Sequence, residues 1–273
     1  MTTEAPVLAT RRPAPRWRLS GTLVYLRTMG LFVLAWYAAA AWVPNKLLLP
    51  SPTEVALALY DSARDGELFT NAAVSLARLV LSVAAAALIA IPLGLAMGRS
   101  RLWNDLFELP VELLRPIAGI AWIPLALFLF GIGHRLPLFI MFYTAFFPLV
   151  IGTAAGARSV DARLIAAART MGVPERTIMR RIVVPAALPA ILVSARLAVA
   201  ASWTAVVAAE LVGAPSGLGY AIEYYRSMLA TPSVMGAIAT IGLLGFLTDR
   251  ALRRLGALLT PWARTDAQTG EVR

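Results

Sequence analysis

Apolar residues fall along the chain in six blocks, at about residues 22–43, 72–98, 109–131, 136–157, 190–213 and 232–247. Most approach the roughly 20 residues a helix needs to cross a hydrocarbon core about 30 Å thick. None shows the ~10-residue alternation of a transmembrane strand. The pattern predicts an all-α, polytopic membrane protein with six transmembrane helices. Prolines and glycines such as Pro116, Pro124, Pro148 and Gly152 interrupt the blocks. Membrane helices accept them where neighbours satisfy the freed backbone groups.

The longest polar interruption is residues 158–189, with six arginines: Arg158, Arg163, Arg169, Arg176, Arg180 and Arg181. It is far longer than a connector between neighbouring spans needs to be. Residues 164–171 are alanine-rich and predict a helix. Gly172 suits the left-handed conformation that stops one. Pro174 suits the first turn of a second helix at 174–184, with Pro185 and Pro189 ending it. The small side chains of Ala167 and Ala168 suit close contact with a partner outside the membrane.

Two shorter polar stretches complete the outline. Ser51-Pro52-Thr53-Glu54 has the form of a helix start within residues 44–71, and predicts a short amphipathic helix on the outer face or an ordinary loop helix. Residues 217–228 read as a re-entrant or surface helix, or as a plain loop. The resulting organisation is a disordered cytoplasmic tail at 1–20, a membrane domain at 21–257 containing the 158–189 loop, and a cytoplasmic tail at 258–273.

Composition agrees. The chain is 59% hydrophobic with a mean hydropathy of +0.72, above the ~45–50% apolar content of soluble domains. Its net charge of +10 would suggest a polyanion partner in a soluble protein. Here the positive-inside rule accounts for it, and no nucleic-acid partner is implied. Arg11, Arg12, Arg16, Arg18, Arg27, Arg99, Arg101, the six loop arginines, Arg250, Arg253, Arg254, Arg264 and Arg273 fall on one side. Only Lys46, Arg64, Arg135 and Arg226 fall on the other. That asymmetry predicts cytoplasmic N- and C-termini and a cytoplasmic 158–189 loop. The apolar region also begins too late for a secretory signal peptide.

Several chemistries lack their residues. There is no cysteine, and His134 is the single histidine, so metal and Cys/His sites are not expected. The sole lysine, Lys46, lies in no Gly-x-x-x-x-Gly-Lys-Ser/Thr motif, so the chain has no Walker A loop. An intramembrane enzyme would need a nucleophile–base pair that the spans do not supply. A secondary carrier, which often shows inverted repeats, is not supported by any visible repeat.

The 158–189 loop carries a more specific signal. Ala166-Ala167-Ala168, three residues, Gly172, nine residues, Ile182, one residue and Val184-Pro185 resemble the EAA loop of binding-protein-dependent ABC importer permeases. Ala166 stands where that pattern has glutamate, and Val184 where it has leucine. Ile91-Pro92-Leu93-Gly94, Arg115-Pro116-Ile117, Phe146-Phe147-Pro148, Arg158-Ser159-Val160-Asp161, Ala209-Glu210-Leu211 and Ser216-Gly217-Leu218-Gly219-Tyr220 are similar to the permeases for aliphatic sulfonates, taurine, nitrate and bicarbonate. The likeness runs over about residues 47–255.

The resemblance implies a type I importer permease fold in a bacterial cytoplasmic membrane. It implies a homodimer bound to two ATPase subunits inside and supplied by a solute-binding protein outside. ATP would be used by the partner, with no cofactor on this chain. Leu164, Ala166, Ala167, Ala168, Arg169, Met171, Gly172 and Pro185 are then the expected ATPase-coupling residues. The solute expected is a small anion of the sulfonate, taurine, nitrate or bicarbonate type. The alternatives are an ion-coupled carrier, or the same permease for a neutral heterocycle such as a pyrimidine precursor.

Ionisable residues inside spans are candidates for a translocation path. Arg115, Arg196, Trp203, Thr204 and Glu210 form that set. Arg115 either pairs with Glu112, three residues away on one face, or faces a cavity and attracts an anion. Arg196 either pairs between helices or lines the path. Glu210 lies ~21 Å from Arg196 along one helix, out of pairing reach. Trp203 and Thr204 either line a cavity or pack. Arg78 is expected to snorkel outward, and His134 to sit in the tight outer turn 133–135, either as an ordinary turn residue or in contact with a docking binding protein.

Overall fold

A computed structural model describes residues 21–43 and 48–262. The tails expected at 1–20 and, from residue 263, at the C-terminus lie outside it, as does Lys46. The described residues are helical, with no strand among them.

The chain divides into two units at Pro52. In the first, α1 (Gly21–Trp42) covers the block at 22–43 and is apolar beyond Arg27 and Thr28 near its start. The Trp36 indole Nε1 donates to the Pro50 carbonyl at 3.2 Å.

The second unit holds the remaining helices. α2 (Pro52–Arg64) turns through Gly66, at φ +77°, into α3 (Glu67–Arg99). α3 has 33 residues, about 50 Å at the helical rise. α4 (Arg101–Leu114) follows, then a 3₁₀ turn (Gly119–Trp122) and α5 (Ile123–Phe130). Next come α6 (Arg135–Arg158), α7 (Ala162–Thr170) and α8 (Glu175–Ile178). A π turn (Met179–Val183) leads into α9 (Val184–Gly213), then α10 (Leu218–Ser227) and α11 (Thr231–Leu259).

α6 is the central helix, packed on both α3 and α9. Small residues allow the close approach. A Cβ at Gly94 would lie 2.7 Å from Thr153 Cβ and the Val150 carbonyl, and one at Gly152 would lie 1.6 Å from Ser194 Oγ. Ala86, Ala90, Ala145, Leu149, Val150 and Ala198 fill the core around this seam.

Among the described residues, four helical stretches are long and apolar enough to cross a membrane: Glu67–Arg99, Arg135–Arg158, Glu175–Gly213 and Thr231–Leu259. A fifth span arises if α4 and the 3₁₀–α5 pair, bent by 81°, are counted together. α1 contributes a shorter apolar stretch, Leu26–Trp42.

Three elements differ from the sequence expectation. The block at 109–131 is not one helix. α4 starts eight residues earlier and ends at Leu114, because Pro116 has no N–H for the Glu112 carbonyl and its ring crowds that turn. The second loop helix is not ended by Pro185 and Pro189. The wide π turn at Met179–Val183 interrupts the regular ladder just before Pro185, so the ring, which has no N–H to give, is accommodated and the helix runs on from Glu175 to Gly213. The last helix runs to Leu259 rather than 247, because the charges that end the apolar block do not end the helix: Asp249 and Arg253 pair one turn apart within it.

Candidate functional site

The polar loop between α6 and α9 is compact. The Asp161 side chain caps α7 by accepting from the Arg163 N–H at 2.8 Å. At the other end the Val173 N–H reaches the Ala168 carbonyl (3.1 Å) and the Gly172 N–H the Arg169 carbonyl (2.9 Å). Gly172 takes φ +74°. This paired arrangement is a Schellman stop, and it places a residue without a Cβ penalty at the left-handed position. Ile165 and Ala168 are buried against Ala157, Val160, Ile178 and Val183. The opposite face is open: Leu164 and Met171 are 52% and 74% exposed, with Ala166 and Ala167 exposed beside them.

Ala168 therefore faces the protein's own core, not a partner as its small size suggested. Arg169 pairs with Glu175 at 2.5 Å, and that hydrogen bond holds its guanidinium pKa above the ordinary value. Arg176, Arg180 and Arg181 line an open hollow with Thr177 and Met179. Pro185 is half-buried at the start of α9.

The second feature is a cavity between helices. α4 climbs beside α6: Asn104 accepts from Arg158 at the end of α6, and the Leu114 carbonyl accepts from the Tyr143 hydroxyl at 2.7 Å, near its middle. There the chain bends. An open cavity of about 510 Å³ lies at the bend, lined by Arg115, Tyr143, Thr144, Phe147, Ser194 and Ala201 among others. A groove of about 170 Å³ adjoins it, lined by Asn104, Glu108, Glu112, Arg115 and Arg158. Arg115 belongs to both. Leu102, Leu106, Leu109 and Leu113 on α4 are exposed, so one face of this helix is polar and another apolar.

The third feature lies where α3, α9 and the start of α10 meet. The Arg78 guanidinium donates through Nη1 to Glu210 Oε1 and to the Ser216 carbonyl, both at 2.7 Å. Through Nη2 it donates to His134 Nδ1 (2.7 Å) and Ser216 Oγ (3.0 Å). Its Nε is buried without a partner. The Glu210 carboxylate also accepts from Ser75 Oγ (2.8 Å) and from the Gly219 N–H (2.9 Å), so it caps α10. Ser75 Oγ in turn accepts from the Leu218 N–H, and Asn71 Oδ1 from the Gly217 N–H, each at 2.9 Å. Gly217, at φ +112°, packs on the carboxylate. Farther along α10 the Tyr225 hydroxyl donates to Glu67 at 3.1 Å, and burial pushes its phenol pKa up.

The residues expected to line a path are thus not brought together. Arg115 opens into the cavity, with no ion-pair partner within 4.0 Å among the described residues. Arg196 is bound to Asp249 of α11 at 2.9 Å. Trp203 is buried, its Nε1 donating to Thr248 Oγ1 at 3.0 Å. Thr204 is exposed and donates to the Ala201 carbonyl. Glu210 is locked to Arg78, which does not snorkel but is 4% exposed. Snorkelling was the wrong expectation because a carboxylate on another helix offers a better partner than the interface.

Sequence reasoning missed Asn71, Ser75, Ser216, Asp249 and the polar stripe of α4. Opposite charges at the outer ends of blocks two and five were the available signal for the first group.

Comparison with known proteins places this geometry. The family described as "Binding-protein-dependent transport system inner membrane component" matches residues 69–260. A putative ABC transporter permease protein of Methanocaldococcus jannaschii is 37% identical over 239 residues, 86% of this chain and 90% of that one. A taurine transport system permease protein of Escherichia coli is 34% identical over 262 residues, 93% and 95% of the two chains. Among solved structures, an inward-facing MetNI methionine ABC transporter shares the fold with a TM-score of 0.63 at 20% identity, over 72% of this chain and 98% of that one.

Proposed function

The chain belongs to the family of binding-protein-dependent transport system inner membrane components, and from that premise we propose how it works. It is the permease subunit of an ABC importer, a multi-pass protein of the cytoplasmic membrane and not itself an enzyme. Such a subunit works with an ATPase and a solute-binding protein. An ion-coupled carrier is not favoured.

Two copies of the chain form the path, each with six spans if α1 and the broken α4–α5 segment are counted. The distribution of arginines supports cytoplasmic termini and a cytoplasmic α7. Two ATPase subunits then dock on the two α7 helices.

The observation that carries the mechanism is the exposed stripe on α7. Leu164, Ala167 and Met171, at helical spacing, leave an apolar face open on a helix whose other face is fixed to the core. Helix-in-groove docking uses such anchors. Arg169, tied to Glu175, and Gly172 define where that face ends. Pro185 and the π turn join it to α9, so motion of α7 is delivered to a helix that lines the cavity. Closure of the ATPases on ATP would pull α7 and switch the dimer between inward- and outward-open states. Ala166 lies on the open face, so the contact made there does not involve a carboxylate.

The solute is a small oxyanion of the sulfonate, taurine, nitrate or bicarbonate type, and the cavity at Arg115 lies on its route. Of the five path candidates, Arg115 is the one that keeps this role. Arg196, Trp203 and Glu210 hold helices together, and Thr204 bonds within its own helix.

Purification in mild detergent tests this reading. Tagged chain co-expressed with its ATPase should retain it, and Leu164→Arg or Met171→Arg should release it. A chain that never retains an ATPase overturns the reading.

A further inference from the structure

We propose that a zwitterionic solute sits where the cavity at the α4 bend meets its adjoining groove, its acid group on Arg115, which lines both, and its ammonium facing Glu112 in the groove. This rests on the permease reading above and narrows its solute class.

The position is right for a holding site. Tyr143 and Thr144 lie near the middle of the 24-residue α6, and Ser194 and Ala201 in the interior of α9. Binding at this depth lets a solute be held between the two faces of the membrane.

The chemistry of the cavity is narrower than its lining. The Tyr143 hydroxyl donates to the Leu114 carbonyl. The Thr144 and Ser194 hydroxyls donate to carbonyls of their own helices, Ile140 and Ala190, at 2.8 Å. Their protons are spent. What remains unsatisfied is charge.

Arg115 and Glu112 are three residues apart on one face, and both line the adjoining groove. Yet among the described residues neither has an ion-pair partner within 4.0 Å, including each other. Unpaired charges inside a membrane domain are costly and mark solute pathways. A simple anion satisfies Arg115 but sets its charge against Glu112, with Glu108 next along the groove; Arg158, the groove's other cation, is held by Asn104. A solute carrying both signs satisfies both residues at once.

The test uses the assembled permease–ATPase complex in nanodiscs, without the solute-binding protein. Taurine and ethanesulfonate, which share the sulfonate and differ in the ammonium, are titrated by ligand-observed NMR. Taurine should bind about tenfold more tightly. Glu112→Gln should erase that preference, Glu112→Lys should reverse it, and Arg115→Gln should weaken both ligands. Equal binding by the wild type, or a preference that survives Glu112→Gln, overturns the proposal. ATPase retention is scored on the same sample, so a complex that holds its ATPase yet shows equal binding overturns the zwitterion site alone.

Discussion

The Arg78 guanidinium lies 2.7 Å from the Glu210 carboxylate, with 5% and 0% of the two side chains exposed. The pair joins α3 to α9, residues 132 positions apart in sequence. It also fixes the Ser216–Gly219 entry to α10 and reaches His134 at the start of α6. One ion pair therefore sets the relative positions of four segments.

Removing one partner should leave a buried charge uncompensated. Arg78→Met or Glu210→Gln should each lower stability by about 3–5 kcal/mol. The double variant Arg78→Met/Glu210→Gln should lose less than the sum of the singles, since no charge is stranded. Thermal unfolding of the purified protein followed by circular dichroism checks both. Additive losses would show that the two residues act apart.

The crossing of α6 and α9 gives a steric prediction. A Cβ at Gly152 would meet Ser194 Oγ at 1.6 Å and Ser194 Cβ at 2.6 Å. Gly152→Ala should destabilise by about 1–3 kcal/mol through overpacking. Ser194→Gly in the same chain should restore much of the loss, because both clashing atoms belong to one side chain. The measurement is again the unfolding temperature, compared across the single and double variants.

The α7 stop gives a functional one. Gly172 at φ +74° has open space around it, so Gly172→Ala costs only the left-handed backbone, about 1 kcal/mol. The fold should survive while α7 loses its fixed end. Solute-stimulated ATP hydrolysis by the assembled importer should fall more than ATPase retention does. Gly172→Asn, which tolerates that backbone, should retain more of it. Equal activity in the two variants would argue that the stop does not transmit motion.

The membrane blocks were legible because hydropathy is summed over twenty residues and needs no partner. The α7 helix and its end at Gly172 were legible for a local reason: helix propensity and a left-handed stop act within one turn. The bend at Arg115 was only half legible. Pro116 marks it, but the early part of α4 is amphipathic, and Asn104, Glu108 and Glu112 dilute its hydropathy. The direction of Ala168 depended on a core assembled from Val160, Ile178 and Val183, which periodicity over nine residues does not fix. The Arg78–Glu210 pair was hidden by separation, since each charge alone is as consistent with snorkelling as with pairing.

The longer reach of α11 yields a last prediction. Asp249 accepts from Arg196 of α9 at 2.9 Å and from Arg253, one turn on, at 2.5 Å. Its side chain is 32% exposed and that of Arg196 35%, so solvent screens the pair and its net contribution is small. The two ends are not equivalent. Arg196→Gln removes one cation and leaves Asp249 paired with Arg253. Asp249→Asn leaves both cations without a counter-charge, and Arg250, Arg253 and Arg254 then crowd the same end of α11. Asp249→Asn should therefore lower the unfolding temperature more than Arg196→Gln, with the gap narrowing as salt is raised. Amide exchange should localise the loss to the 248–259 end of α11. An equal effect of the two substitutions would mean that the α9–α11 contact rests on Trp203 and Thr248 and not on charge.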